Sequence, residues 1–321
     1  MENSFNSILE ISTVFDTQDK CLSYLEKWIW NNKPVSPFVA DSTVYDCGNH
    51  RFKCRASNKY FNVLTSTIFE NTKVPLVKWF MAIYLIASHK KGISSYQLGR
   101  DIGIGQKAAW FLLHRIRYAM AYGNFSKPLQ GVIECDETYT GGKLINQHYE
   151  KRINKNLYKQ GMSDKTAVFA MLERGGNVIA MNVGLNPNTD LLQPIIKGQT
   201  DKDSTIVTDG AGMYVGLNKA RKHEVVNHSQ DEFVRGDYHT NSVEGFFSQF
   251  KRSIYGIYHQ VSKEHLHSYV DETAYRYNTR LLKDNQRFDL TLSRVTGKRL
   301  TYKTLIANGT VKKRKEGQQQ A

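Results

Sequence analysis

Three acidic residues fall where phosphodiester chemistry would need them. Asp136 lies in the run Glu134-Cys135-Asp136-Glu137-Thr138-Tyr139, and Asp209 closes Ile206-Val207-Thr208-Asp209 before Gly210. Glu244 sits in Asn241-Ser242-Val243-Glu244-Gly245-Phe246-Phe247, with 34 residues between it and Asp209. Cutting a phosphodiester means deprotonating a water or sugar hydroxyl and stabilising the leaving oxyanion. Two Mg²⁺ ions about 4 Å apart can do both. Such hard cations take oxygen ligands, so carboxylates delivered from separate strands and a helix are the cage this chemistry asks for. Taken singly, each acid has a plainer explanation as a surface or capping group. Glu244, for instance, could simply complement a helix dipole.

The elements that must position these residues can be read from periodicity. Alternation predicts strands over Val132 to Tyr139, Thr166 to Leu172, Asn177 to Val183 and Thr205 to Thr208. Helices are expected over Thr189 to Lys197, Ser242 to Ile254 and Lys263 to Leu281. Asp136 then lies on the first strand, Asp209 just past the end of the fourth, and Glu244 in the first turn of a helix. In that helix Val243, Phe247, Phe250 and Ile254 form a stripe to bury, and Glu244, Ser248, Lys251 and Tyr255 form the adjacent one. A carboxylate for metal and, two turns on, a cation for phosphate would share that second stripe. An ordinary amphipathic helix has the same spacing. Glu137 is adjacent to Asp136, and period-two alternation points it to the opposite face of the strand.

Upstream, Leu22, Leu25, Trp28 and Ile29 suggest a helix, followed by a β-rich piece with Val44, Tyr45, Phe52, Tyr60 and Phe61. Leu76, Trp79, Phe80, Ile83 and Tyr84 recur at helical steps. Two further helices, joined through Ile102-Gly103-Ile104 and ending over Ala108 to Met120, suggest a helix-turn-helix. Lys107, Arg115 and Arg117 on the second of them, with Lys251 and Arg252 further along, are the candidate phosphate contacts. Helical hairpins are common, and the pattern alone does not decide for DNA.

Charge points the same way. Lys plus Arg outnumber Asp plus Glu by 44 to 30, a net +14. From Lys251 to the end, 15 basic residues face 6 acidic ones. A polyanionic partner would be favoured, because neutralised phosphates release counterions, although a soluble basic surface reads the same and charge alone does not separate nucleic acid from an anionic membrane. A membrane span is not expected, since the longest apolar run, Trp79 to Ala87, is far short of the ~20 residues required. Met1 to Glu10 lacks the pattern of a signal peptide. Cys21, Cys47, Cys54 and Cys135 are too few for a disulfide framework, which fits a reducing, cytoplasmic and nucleoid-associated setting.

The run Glu134 to Lys143, the run His239 to Arg252, Ile254-Tyr255-Gly256-Ile257-Tyr258-His259, His265-Leu266 and Tyr275-Arg276-Tyr277-Asn278-Thr279-Arg280 together resemble insertion-sequence transposases related to the eukaryotic Merlin elements, the group with an ISXO2-like transposase domain. The resemblance runs from about Thr65 to Tyr302. It implies an α/β, RNase H-like catalytic core with Asp136, Asp209 and Glu244 as catalytic and metal-binding triad, using Mg²⁺ or Mn²⁺. In parts of the family the third position is Asn, which here would be Asn241. Glu244 is preferred because a charged oxygen ligand binds Mg²⁺ better than a neutral amide.

Relatives often begin with a zinc ribbon of two Cys-x-x-Cys knuckles. Here those positions read Ser36-Pro37-Phe38-Val39 and Cys54-Arg55-Ala56-Ser57. With three of four ligands missing, and Cys47, His50 and Cys54 lacking a fourth, the expectation is a ribbon-shaped relic without zinc.

Four regions follow. Residues 1–70 are an N-terminal helix and degenerate ribbon, 71–125 a helix-turn-helix region, 130–310 the catalytic domain and 311–321 a disordered basic tail. A mobile loop is expected over Gln147 to Lys165. The implied function is binding of an element's terminal inverted repeats, strand cleavage and joining of 3′ hydroxyls to target DNA by a homo-oligomer. The alternatives are a DNA-binding descendant without catalysis, or a nuclease without strand transfer.

Overall fold

In the computed structural model, which describes residues 5–121, 127–141, 165–227 and 234–307, the chain divides into two units. One takes Met1–Ala121 together with Leu281–Ala321, and the other Tyr122–Arg280. The tail 311–321 and all but the last residue of the expected loop over 147–165 lie outside the described residues.

The first unit begins with α1 (Ile8–Val14) and α2 (Gln18–Trp30), capped by the hydroxyls of Ser7 and Thr17. A small antiparallel sheet follows: β1 (Val44–Asp46), β2 (Phe52–Cys54) and β3 (Tyr60–Phe61). Alternation gives it two unlike faces. Phe52, Cys54 and Phe61 are buried with Trp30 and Val44, while Tyr45, Lys53 and Tyr60, paired across the three strands, lie on the other side. At the expected first knuckle position a serine hydroxyl organises the turn. Ser36 Oγ accepts from the backbone N–H of Phe38 and Val39 at 3.2 and 3.3 Å. Hydroxyls of Ser36, Ser42 and Ser57 gather at Cys54 and hold its thiol down to about 6. Cys47 is exposed, and His50 is turned to Glu26 and Asp19, at 2.8 Å from each.

Three helices continue the unit: α3 (Leu76–Ser88), α4 (Ser95–Asp101) and α5 (Gln106–Met120). α5 differs from the sequence expectation. Arg115 and Arg117, expected on a DNA-facing side, are 3% and 1% exposed. α3 and α4 pack against α5, whose Leu112, Leu113 and Ile116 are buried along with these two arginines. The Arg115 guanidinium donates to the Glu70 carbonyl and lies over the Trp79 and Phe111 rings, and burial brings it down to about 10. A buried guanidinium used in this way cannot reach a phosphate. Lys107, in the first turn, is exposed.

The second unit is built on a mixed five-stranded sheet: β4 (Val132–Thr140), β5 (Thr166–Glu173), β6 (Val178–Gly184), β7 (Thr205–Asp209) and β8 (Lys222–Val226). The strand order is β6-β5-β4-β7-β8. β4 runs antiparallel to β5, and β5 to β6, whereas β4–β7 and β7–β8 are parallel. Ile133, Cys135, Phe169, Met171 and Ile206 face α6 (Thr189–Gln199) and the short helical turns after β7. The opposite face carries Val168, Ala170, Leu172 and Val178 against α7 (Asn241–Ser253) and α8 (Leu266–Asn278). A π-helical turn over Ile254–Tyr258 ends α7.

The motif around Asn278 has a structural use. Its side-chain amide accepts from Val178 N at 2.7 Å and donates to Val178 O at 2.9 Å, tying α8 to β6 as another strand residue would. Arg276 pairs with the buried Glu272, which also accepts from Tyr258.

A later helix, α9 (Asp284–Leu292), departs from the expected boundary at 310. It returns to the first unit, where Phe288 is fully buried with its ring centroid 5.0 Å from that of Phe5 and 5.5 Å from that of Phe80. Aromatic burial of this size outweighs nearness in sequence. Among the described residues, no helix is long and apolar enough to cross a membrane.

Candidate active site

Asp136 and Asp209 come from neighbouring parallel strands. The last paired residues are Glu134 on β4 and Val207 on β7, and two residues beyond that pair on each strand stand Asp136 and Asp209. Glu244 enters from α7, which packs on β4. α7 buries Val243, Phe246, Phe247, Phe250 and Ile254 and leaves Glu244, Lys251 and Tyr255 exposed, with Ser248 half-buried. The two stripes read from the sequence are therefore the covered and open faces of this helix, with Phe246 added to the covered one.

Electrostatics tie the three carboxylates together. Burial, then the charge of Glu137, and in smaller measure Asp209 and Glu244, push the Asp136 carboxyl up to about 8. Glu137 is also raised, chiefly by burial and also by Asp209, against a hydrogen bond from Tyr214. Tyr214 packs with Cys135 on the α6 side of the sheet, so Glu137 is held by that layer. Asp209 Oδ1 accepts from Ala211 N at 3.0 Å, and Glu244 Oε1 accepts from the Thr240 hydroxyl at 2.8 Å. Asn241 is exposed at the first position of α7.

The donor set suits a hard divalent cation: it is all oxygen, and its like charges crowd one another unless a positive charge is added. As the side chains stand, no three His, Cys, Asp or Glu groups among the described residues form a ligand cluster, so Asp136, Asp209 and Glu244 share a field without yet sharing one point. The same holds for Cys47, His50 and Cys54.

A residue outside the expected set joins the strand to the helix. Glu134, 0% exposed, accepts from Ser242 N at 2.8 Å, Val243 N at 3.0 Å, Ser242 Oγ at 3.0 Å and Arg174 Nε at 3.0 Å. His239 Nδ1 stands 3.4 Å from the same carboxylate. The sequence shows that Glu134 shares the parity of Asp136, but not the bond that it makes to a distant helix. Of the expected DNA-contact residues in this unit, Lys251 and Arg252 are exposed, and Arg252 donates to Ser248 Oγ at 2.7 Å.

Comparison with known proteins bears on this arrangement. Residues 128–278, which hold all three acids, match the family model of the ISXO2-like transposase domain. The chain is also 26% identical over 268 residues to a protein of Halobacterium salinarum described as an uncharacterized protein in transposable element ISH50, covering 80% of this chain and 89% of that one. Over residues 128–278 the second unit is thus similar to the ISXO2-like transposase domain.

Proposed function

We propose that this chain is an insertion-sequence transposase with an RNase H-like core, in which Asp136, Asp209 and Glu244 hold Mg²⁺ or Mn²⁺. The observation that carries this is geometric: Asp136 and Asp209 stand at matched positions on the neighbouring parallel strands β4 and β7, and Glu244 is on α7, the helix packed on β4. The strand order β6-β5-β4-β7-β8, with β5 reversed, supports the RNase H-like assignment. Divalent ions bound there would supply positive charge for the attacking and leaving oxygens of a phosphodiester. The chain's own contribution is to hold the acids on three packed elements, with Thr240 orienting Glu244 and Ala211 N orienting Asp209. Lys251, two turns along from Glu244 on the open face of α7, and Arg252 beside it would take the neighbouring phosphates.

In the first unit, with Arg115 and Arg117 buried, the DNA contacts fall to Lys107 and to the open face of the small sheet. There the Arg51 guanidinium lies 3.9 Å from the Tyr60 ring centroid beside Lys53, and no acidic residue occurs between Cys47 and Phe69. Binding of terminal inverted repeats, strand cleavage and joining of 3′ hydroxyls to target DNA by an oligomer complete the proposal.

The test uses Asp136→Asn, Asp209→Asn and Glu244→Gln, which keep side-chain shape and remove a negative ligand. Each should lose most of the cleavage rate on element ends while binding those ends as well as the parent. Loss of cleavage in Asn241→Ala with Glu244→Gln still active would move the third ligand to Asn241. Cleavage by all three acid variants would leave a DNA-binding protein without this catalysis as the better account.

A further inference from the structure

The start of α7 is capped in an unusual way. Thr240 stands at the N-cap, yet its hydroxyl makes no capping bond and donates to Glu244 Oε1. The helix amides that a local Ser, Thr or Asp ordinarily satisfies, at the second and third positions, are taken by Glu134 Oε2, from a strand residue 108 positions earlier than Ser242. The other carboxylate oxygen accepts from Ser242 Oγ and Arg174 Nε. Arg174 in turn donates to the carbonyls of Asp237, at 2.6 Å, and His239, at 3.2 Å, and so gathers the segment that leads into the helix.

A buried charge with this many bonds is costly to assemble and stiff once assembled. A local cap would satisfy the same amides with no such cost. What a local cap cannot do is fix the helix against β4. Glu134 lies two residues before Asp136 on the same face of its strand, and its amide partner Val243 lies one residue before Glu244. The bonds from Glu134 to Ser242 and Val243 thereby set where α7 delivers Glu244 relative to Asp136.

We propose that Glu134 is a positioning residue for the metal site, acting through the first turn of α7, with Arg174 as its brace. This rests on the assignment of Asp136 and Glu244 as metal ligands. Glutamine at 134 keeps the length but replaces one acceptor oxygen with an NH₂ donor, so Ser242 N, Val243 N and Arg174 can no longer all be satisfied.

The experiment titrates Mn²⁺ into full-length protein by electron paramagnetic resonance and follows amide exchange. Glu134→Gln should bind Mn²⁺ about 10–100-fold more weakly than the parent, the range for residues that orient metal ligands. Exchange should quicken at the start of α7, cleavage at saturating DNA should fall in step, and DNA affinity should hold. Loss of stability alone would leave Mn²⁺ affinity per folded molecule where it was. Unchanged Mn²⁺ affinity and unchanged exchange in Glu134→Gln would overturn the proposal. Should that variant not fold, Ser242→Ala removes one donor to the same carboxylate; a few-fold loss of Mn²⁺ affinity supports the proposal and parental affinity refutes it. Glu244→Gln separates the two levels of argument. If it binds Mn²⁺ like the parent, the ligand assignment fails; if it loses Mn²⁺ while Glu134→Gln does not, only the positioning role fails.

Discussion

Asp136→Asn should make the metal-free protein more stable above neutral pH and no more stable in acid. Burial, the Glu137 charge and, to a lesser degree, Asp209 and Glu244 raise the Asp136 carboxyl to about 8, against about 3.9 in an unfolded chain. Below the lower value the group is neutral in both states and costs nothing. Between the two, the unfolded chain releases a proton that the folded chain keeps. Stability therefore falls with rising pH, by about 1.4 kcal/mol per unit, and levels off above the folded value. The accumulated loss has a ceiling of about 6 kcal/mol. Side-chain relaxation and water at a half-open site reduce it, since such sites behave as media of intermediate dielectric. Half the ceiling corresponds to a melting-temperature difference of about 5–10 °C for a unit of this size. Differential scanning calorimetry in chelator at about pH 4 and about pH 9 measures it, because only at the higher pH does the parent carry the penalty. Mg²⁺ should raise the parent toward the variant at the higher pH and leave the variant nearly unmoved. Equal melting temperatures at high pH, or an equal advantage for Asn at both pH values, would refute the argument.

Three further outcomes follow from which side chains are buried and which are open. Arg115→Ala should lower stability by about 2–4 kcal/mol through lost packing and an unmet carbonyl, with DNA affinity at fixed salt unchanged. Lys107→Ala and Lys53→Ala should instead weaken DNA binding and reduce the salt dependence by roughly one counterion each, as filter binding across a salt series would show. Phe288→Ala should cost about 3–5 kcal/mol, lowering the urea midpoint of the first unit and speeding amide exchange in α3 while the five-stranded sheet keeps its protection. Retained protection in α3 would count against the packing described for α9.

What the sequence disclosed depended on how local the signal was. β4, β5, β6, β7 and α7 could be read because alternation or a helical stripe spans each of them, and Asp136, Asp209 and Glu244 were placed on elements by that means. β8 was missed: Lys222, His223 and Glu224 give no apolar alternation, and the strand exists because β7 offers it a parallel neighbour. Arg115 and Arg117 misled because an arginine on a helix reads as surface until the packing around it is known; for Arg115 the long stem tolerates burial because the head finds a carbonyl and two rings. Glu134 looked like one more acid in a motif. Its value lies in a bond to a helix far along the chain, which no local pattern records.

The return of α9 to the first unit also has a consequence in time. A ribosome releases Phe5, Phe15 and Phe80 early, but Phe288, which completes their cluster, only after Tyr122–Arg280 has been made. At ordinary elongation speeds that interval is roughly 10–30 s. The domain with the carboxylates can close during that interval, while the N-terminal segment waits with its aromatic residues unsatisfied. A reading frame broken late in the gene would therefore leave the carboxylate-bearing unit whole and the other unit unfinished. Mutational decay near the 3′ end of the coding sequence should strip such copies of the first unit's contribution before it touches the acids.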